Sequence, residues 1–265
     1  MIGEGVEHIL FIHGFGLTLH TWKYIKDKFD KKRYKLILID LKGCGFSDRP
    51  KNSDYSINEQ ANIIISLLES LKIQNIKIIG HSYGGIITLY LHYLANEKKH
   101  NINIDKTVLL DTPAYNDFIP LFMKILKNGF LGFLFPKIVS PKYISKLIIK
   151  NTFYDKEQAI KKLLPQYMFF FGLKDYNESL TELSEQLIPK NVDEVIKNYK
   201  NIRLPVLIIR GDNDTLIDAS QSIRLNKDIA NSSLKIVERC GHVPHEEQPD
   251  ITFDLIHTFF QNERN

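Results

Sequence analysis

The sequence predicts an α/β fold, a mostly parallel sheet of about six strands flanked by helices, with one inserted helical segment. Three observations predict it. Short apolar runs alternate with amphipathic helical stretches along most of the chain, the rhythm of strand–helix–strand crossovers. The apolar runs are too oily to leave a wet face, so each strand is expected to be buried on both sides. The alternation stops between about residues 114 and 200, where the pattern is helical, rich in Phe and Leu, and without a clear strand.

The elements follow in order. Residues 8–12 (HILFI) read as the first strand and 34–39 (YKLILI) as the second. A helix is expected over about 57–71, with Ser56 or Asn58 placed to cap it. Residues 76–79 (IKII) form the third strand, and a helix runs on from Gly84 to about Leu94. The fourth strand is 107–110 (TVLL), the fifth 206–209 (VLII) and the sixth 234–237 (LKIV). A last helix is expected over about 251–260. Residues 1–114 and 201–265 thus form one core, and 115–200 an insertion that does not fold alone. Its aromatic and leucine side chains are Phe118, Leu121, Phe122, Phe130, Phe133, Phe135, Tyr167, Phe169, Phe170 and Phe171. Most are expected to pack within the insertion.

Composition excludes several classes of function. A net charge of +4 with scattered Lys and Arg offers no concentrated basic stripe for nucleic acid. The two cysteines, Cys44 and Cys240, are too few for a disulfide-built secreted domain. They also fall on loops expected at opposite sides of the sheet, so no bridge is expected between them. The opening residues have no basic region followed by an apolar core, and no apolar stretch reaches the roughly 18 residues of a membrane span. A cytoplasmic location and no stable membrane insertion are therefore expected. Glycine-rich phosphate loops and convincing metal-ligand spacings are missing from the sequence. No cofactor and no metal are expected.

The strongest local signal is Gly80-His81-Ser82-Tyr83-Gly84-Gly85, a G-x-S-x-G pattern between a strand and a helix. That context lifts a serine hydroxyl above the sheet on a strained turn, with the following helix aiming its N-terminus at it. His13-Gly14-Phe15-Gly16 ends the first strand. By position the backbone N–H groups of Phe15 and Tyr83 would converge on a developing oxyanion. A serine needs a base and the base a carboxylate. Gly211-Asp212-Asn213-Asp214 follows the fifth strand and Cys240-Gly241-His242 the sixth. Asp214 is expected to orient His242, with Asp212 fixing the turn. His245 competes with His242, and Asp111, at the end of the fourth strand, is the weaker candidate acid. His13 and His81 are expected to support the turns they flank; His20, His92, His100 and His257 are read as surface or packing positions.

Together these stretches, with residues 40–48 (DLKGCGFSD), resemble the α/β-hydrolase superfamily over nearly the whole chain. In detail the chain looks like the small capped esterases and lipases, including pimeloyl-carrier methyl-ester esterases and carbon–carbon bond hydrolases. The resemblance implies Ser82 as nucleophile, His242 as base and Asp214 as orienter. It also implies a structural role for residues 40–48 and a core position for Trp22. Haloalkane dehalogenases and epoxide hydrolases place Asp where Ser82 stands. One departure is that only about seven residues precede the first strand, where relatives carry a hairpin. The hairpin is expected to be missing and one sheet edge less protected. The function expected is hydrolysis of small hydrophobic carboxylic esters through an acyl-enzyme. Thioesterase, acyltransferase, carbon–carbon hydrolase or a non-catalytic ligand binder are the alternatives.

Overall fold

A computed structural model describes residues 1–117 and 139–262. Six strands form one sheet in the order β2-β1-β3-β4-β5-β6, every neighbouring pair parallel. They are β1 (Glu7–Ile12), β2 (Tyr34–Leu38), β3 (Asn75–His81), β4 (Asn103–Leu110), β5 (Val206–Gly211) and β6 (Ser232–Val237). The helices around them are α1 (Ile57–Ser70), α2 (Tyr83–Asn96), α7 (Ala219–Asp228), α8 (Pro244–Glu247) and α9 (Pro249–Gln261). Between β4 and β5 lie α3 (Pro141–Thr152), α4 (Lys156–Phe171), α5 (Tyr176–Glu185) and α6 (Val192–Asn198), with no strand among the described residues there.

Strand alternation divides the core in two. Leu10, Ile12, Ile78, Leu109 and Ile208 face α1, α2 and the helices of the insertion, and all belong to one apolar cluster. Ile9, Phe11, Ile79, Leu110 and Ile209 face the other side, against Trp22, Ile256 and Phe260. Both faces of the central strands are therefore dry, as the oily runs require. The outer strand β6 is a correction to that expectation. Lys235 and Ile236 are exposed, and Ile236 shows 58% of its surface to solvent. With β5 as its only sheet neighbour, β6 gains burial from one side alone.

The opposite edge is not bare. Ile2 makes an antiparallel bridge to Leu36, donating to its carbonyl at 2.9 Å and accepting from its N–H at 2.7 Å. One residue thus stands in at the edge where the hairpin is expected to be missing, and interrupts the open row of groups on β2. Ser56 caps α1, its hydroxyl accepting from the Glu59 N–H. Of the aromatic positions in 114–200, Tyr167, Phe170 and Phe171 are buried while Phe169 is exposed. Phe118, Leu121, Phe122, Phe130, Phe133 and Phe135 lie outside the described residues.

Helices α3, α4 and α5 rest on loops at the carboxyl end of the sheet, while α6 packs against the C-terminal part of α2, where the Asn96 amide donates to Asn198 at 2.8 Å. The Tyr176 hydroxyl donates to the Gly16 carbonyl at 3.3 Å, and the Ser179 hydroxyl to the Gly43 carbonyl at 2.7 Å. The His242 N–H donates to the Thr152 carbonyl at 2.6 Å. No helix of the described residues is long and apolar enough to cross a membrane. Cys44 and Cys240 are free and buried, on loops after the two outermost strands. Burial pushes the Cys44 thiol up to about 12 and the Cys240 thiol upward as well, so both are packed groups rather than reactive ones.

Candidate active site

Ser82 stands at the hinge between β3 and α2 with φ +50° and ψ −114°. A non-glycine side chain there is strained, and surrounding bonds hold it. The Ser82 N–H donates to the Leu110 carbonyl at 2.8 Å, and the Gly85 N–H donates to the Ser82 carbonyl at 2.9 Å. Helix and strand meet so tightly that a Cβ on Gly84 would lie 2.2 Å from the Ile12 carbonyl oxygen. Tyr83 is the first residue of α2, so its N–H has no intrahelical acceptor.

The loop after β1 packs directly on this hinge. A Cβ on Gly14 would lie 3.2 Å from the Ser82 Cβ and 2.7 Å from His81 Nδ1. The loop closes with the Leu17 N–H donating to the Gly14 carbonyl at 3.1 Å. Phe15 therefore sits in a tight turn whose first glycine touches the serine residue. Asp40 ties the far side of this loop to residues 40–48. Its Oδ1 accepts from the Leu19 N–H at 2.7 Å and its Oδ2 from the Phe46 N–H at 2.9 Å. His13 supports the turn it flanks, Nδ1 lying 2.8 Å from the Gly14 carbonyl and Nε2 accepting from the Leu41 N–H at 3.0 Å. Trp22, fully buried, follows in the core.

Asp214 and His242 meet. His242 Nδ1 lies 2.8 Å from Asp214 Oδ2. The other oxygen of Asp214 accepts the N–H groups of Leu216 at 2.8 Å and Ile217 at 3.1 Å. Burial alone would raise this carboxylate, but the His242 charge and the hydrogen bonds outweigh it and hold it down to about 2. Asp212 is exposed, and its Oδ1 accepts from the Cys240 N–H at 3.1 Å, fixing one loop to the next. His81 joins the hinge to this pair. It precedes Ser82 in the chain, its Nε2 lies 2.8 Å from the His242 carbonyl, and the two rings are 5.0 Å apart. Burial, then the His242 charge, pushes His81 down to about 3, so it is neutral. Among the described residues no hydrogen bond joins the Ser82 hydroxyl to the His242 ring; such bonds often tighten only when substrate is bound.

His245, the rival of His242, is fully buried and stacked on Trp22 at 4.3 Å between ring centres. Its Nε2 lies 2.7 Å from Thr21 Oγ1, so it braces the helical turn that follows the loop after β1. Two residues escaped the sequence reading or were undervalued by it. The Thr21 hydroxyl donates to Glu246, whose carboxyl is raised to about 7 by burial, against the pull of Thr21 and Lys23. Glu246 and Tyr167 line a cavity of about 10 Å³ beside Gly16 and Phe171, room for a single water. Asp111 lies within the constellation itself, as oxygen and nitrogen atoms of Asp111, Asp214 and His242 fall within 4.8 Å of one another. A metal between Asp214 and His242 would have to break their hydrogen bond, so this trio fits proton chemistry better than coordination.

Comparison with known proteins agrees with the architecture. The family model described as alpha/beta hydrolase fold matches residues 7–249. A Mycoplasma pneumoniae protein named as an esterase/lipase is 23% identical over 97% of this chain and 90% of its own. The 2-hydroxy-6-oxononadienedioate/2-hydroxy-6-oxononatrienedioate hydrolase of Escherichia coli K12 is 26% identical over 97% of this chain and 88% of its own. A solved meta-cleavage product hydrolase from Pseudomonas fluorescens IP01 superimposes with a TM-score of 0.81 over 98% of this chain and 92% of that one, at 23% identity. That last likeness speaks for the fold.

Proposed function

We propose, from the premise that this chain belongs to the α/β-hydrolase family, that it is a serine hydrolase cleaving carboxylic esters of small hydrophobic substrates. The observation that carries the reading is the strained Ser82, 8% exposed, at the same sheet edge as the bonded His242–Asp214 pair. Ser82 Oγ attacks the ester carbonyl while His242 takes its proton. Asp214 stabilises the imidazolium that forms. The N–H groups of Phe15 and Tyr83 receive the oxyanion. The tetrahedral intermediate expels the alcohol, which takes the proton from His242. Water, deprotonated in turn by His242, then releases the acid from Ser82. His242 fits the part of base because its Nδ1 is committed to Asp214, which leaves Nε2 as the acceptor nitrogen.

Apolar neighbours support a hydrophobic substrate. A Cβ on Gly16 would touch Phe171 and Leu180 at 3.6 and 3.7 Å, so apolar walls approach the oxyanion loop. A second reading, carbon–carbon bond hydrolysis by the same groups, is supported by the 26% identical relative. The substrate in that relative's name is a dicarboxylate. The walls that approach Gly16 are the apolar side chains of Phe171 and Leu180, which favours a neutral ester. A panel of p-nitrophenyl esters of rising chain length, thioesters, lactones and a 2-hydroxy-6-oxo-dienoate tests both. The expected result is fastest turnover on short to medium esters, lost by about 10⁶-fold in kcat in Ser82→Ala. Unchanged ester turnover in that variant removes Ser82 from the mechanism.

A further inference from the structure

Asp111 has no part in the reaction just described, yet it is built into the site. It follows β4 with φ +42°, a second strained non-glycine residue at this sheet edge, and only 2% of its surface is exposed. Its Oδ1 accepts the Gly211 N–H at 3.1 Å. Its Oδ2 is buried and receives no N–H or hydroxyl donor among the described residues. Beside it, Asp214 accepts three N–H groups, from Leu216, Ile217 and the His242 ring. Two adjacent buried carboxyls do not both ionise. The charge goes to the one with three donors, and the proton to the one with a single donor and an orphaned oxygen. That oxygen is costly as an ionised acceptor and satisfied as an O–H.

We propose that Asp111 stands as a neutral carboxylic acid at neutral pH and donates its O–H to the Asp214 carboxylate, making it a positioning residue behind the Asp214–His242 pair. The proposal rests on the reading of those two residues as catalytic. The groups facing Asp111 agree with it. Asp214 is the anion beside it, and burial together with that charge holds the Asp111 carboxyl well above the usual carboxylate range. Arg210 and the Gly211 N–H pull the other way, but the Arg210 guanidinium is turned to the carbonyls of Asp214 and Ile217 at 3.3 and 3.4 Å. The Cys240 thiol is neutral, being pushed upward by burial. His242 spends its Nδ1 proton on Asp214. The shared proton anchors the Asp214 carboxylate beside the imidazole and moderates its basicity.

The test separates this donor from a packing role. Asp111→Asn keeps a neutral donor for Asp214 and an acceptor for Gly211. It should hold kcat within about threefold of the parent, with the same pH profile. Asp111→Ala removes the donor and makes Asp214 more basic. Its kcat should fall about tenfold at unchanged KM, and the acidic limb of the rate profile should move to higher pH. Infrared difference spectra at neutral pH, parent minus Asp111→Asn, should show the carbonyl stretch of a protonated carboxylic acid, and this readout stands even if the alanine variant does not fold. Glu246→Gln as a second background removes the one other raised buried carboxyl among the described residues from the spectrum. No acid band in the difference, or an asparagine variant as impaired as the alanine, overturns the proposal. Failure of the underlying reading has a different signature, which is ester turnover surviving in Ser82→Ala.

Discussion

The two ends of the one parallel sheet are built differently. A cleft of about 930 Å³ lies at the amino end, lined by Asn96, Asn103, Asn201, Arg203, Asn231 and Lys106 among others. The Ser82, Asp214 and His242 side chains lie at the carboxyl end. At the amino end the polar groups hold structure together. Lys106 donates to the carbonyls of Phe259, Phe260 and Asn262, closing the C-terminus of α9, and His92 bonds to the Thr107 hydroxyl at 2.9 Å. At the carboxyl end the sheet meets the N-terminus of α2, which has N–H groups to spare. Two strained residues, Ser82 and Asp111, lie there. A parallel sheet sends helix C-termini to one edge and helix N-termini to the other. The first edge consumes cations as caps; the second offers donors to an anion.

The sharpest way to break this contrast is to disarm the carboxyl end without disturbing its shape. Asp214→Asn should lower kcat on esters by about 10⁴-fold, by letting His242 take the wrong tautomer, while the fold is kept. A loss below tenfold in steady-state assays would mean that the 2.8 Å contact between Asp214 and His242 is not part of the chemistry.

A smaller effect concerns stability. Glu246 is raised from 4.5 to about 7 in the folded chain. Between those values the native state binds more protons than the unfolded chain, so stability falls as pH rises through that window. Above about pH 7 the full cost, about 3 kcal/mol, is present. His81 and His92, lowered to about 3 and about 4 by burial, act in the opposite sense, with stability lost as pH falls below their unfolded value of 6.5. The difference between Glu246→Gln and the parent isolates the glutamate. The variant should melt higher than the parent at about pH 8 and close to it at about pH 4. Equal melting curves at both pH values would show that Glu246 is solvated.

The smallest effect belongs to the other end of the sheet. Arg203→Ala and Asn103→Ala, in the large cleft, should leave ester turnover within about twofold, since neither reaches the reacting groups. A tenfold loss in either would join the two ends and remove the contrast.

Much of this arrangement could be read from the chain. The central strands betrayed themselves because burial on both faces favours runs of apolar residues, and G-x-S-x-G marked the hinge because only glycine lets β1 and α2 approach so closely. What escaped has physical reasons. Strand β6 is as oily in sequence as the others, but its exposure follows from its place at the rim, which no local pattern encodes. Helix α7 went unnoticed because its residues are mostly polar, with Leu225 fully buried and Ile223 58% exposed. The Ile2–Leu36 bridge is a single residue pair and has no periodicity. Asp111 was legible as an acid at a strand end. Its contact with Asp214, 103 residues later, exists only once β4 and β5 are side by side.

The central claim is that Ser82 is a nucleophile activated by His242. A fluorophosphonate probe followed by peptide mass spectrometry tests it most directly. The account predicts a single covalent adduct on Ser82, suppressed in His242→Asn while that variant stays folded. Labelling elsewhere, or no adduct on Ser82 in a folded parent protein, contradicts it.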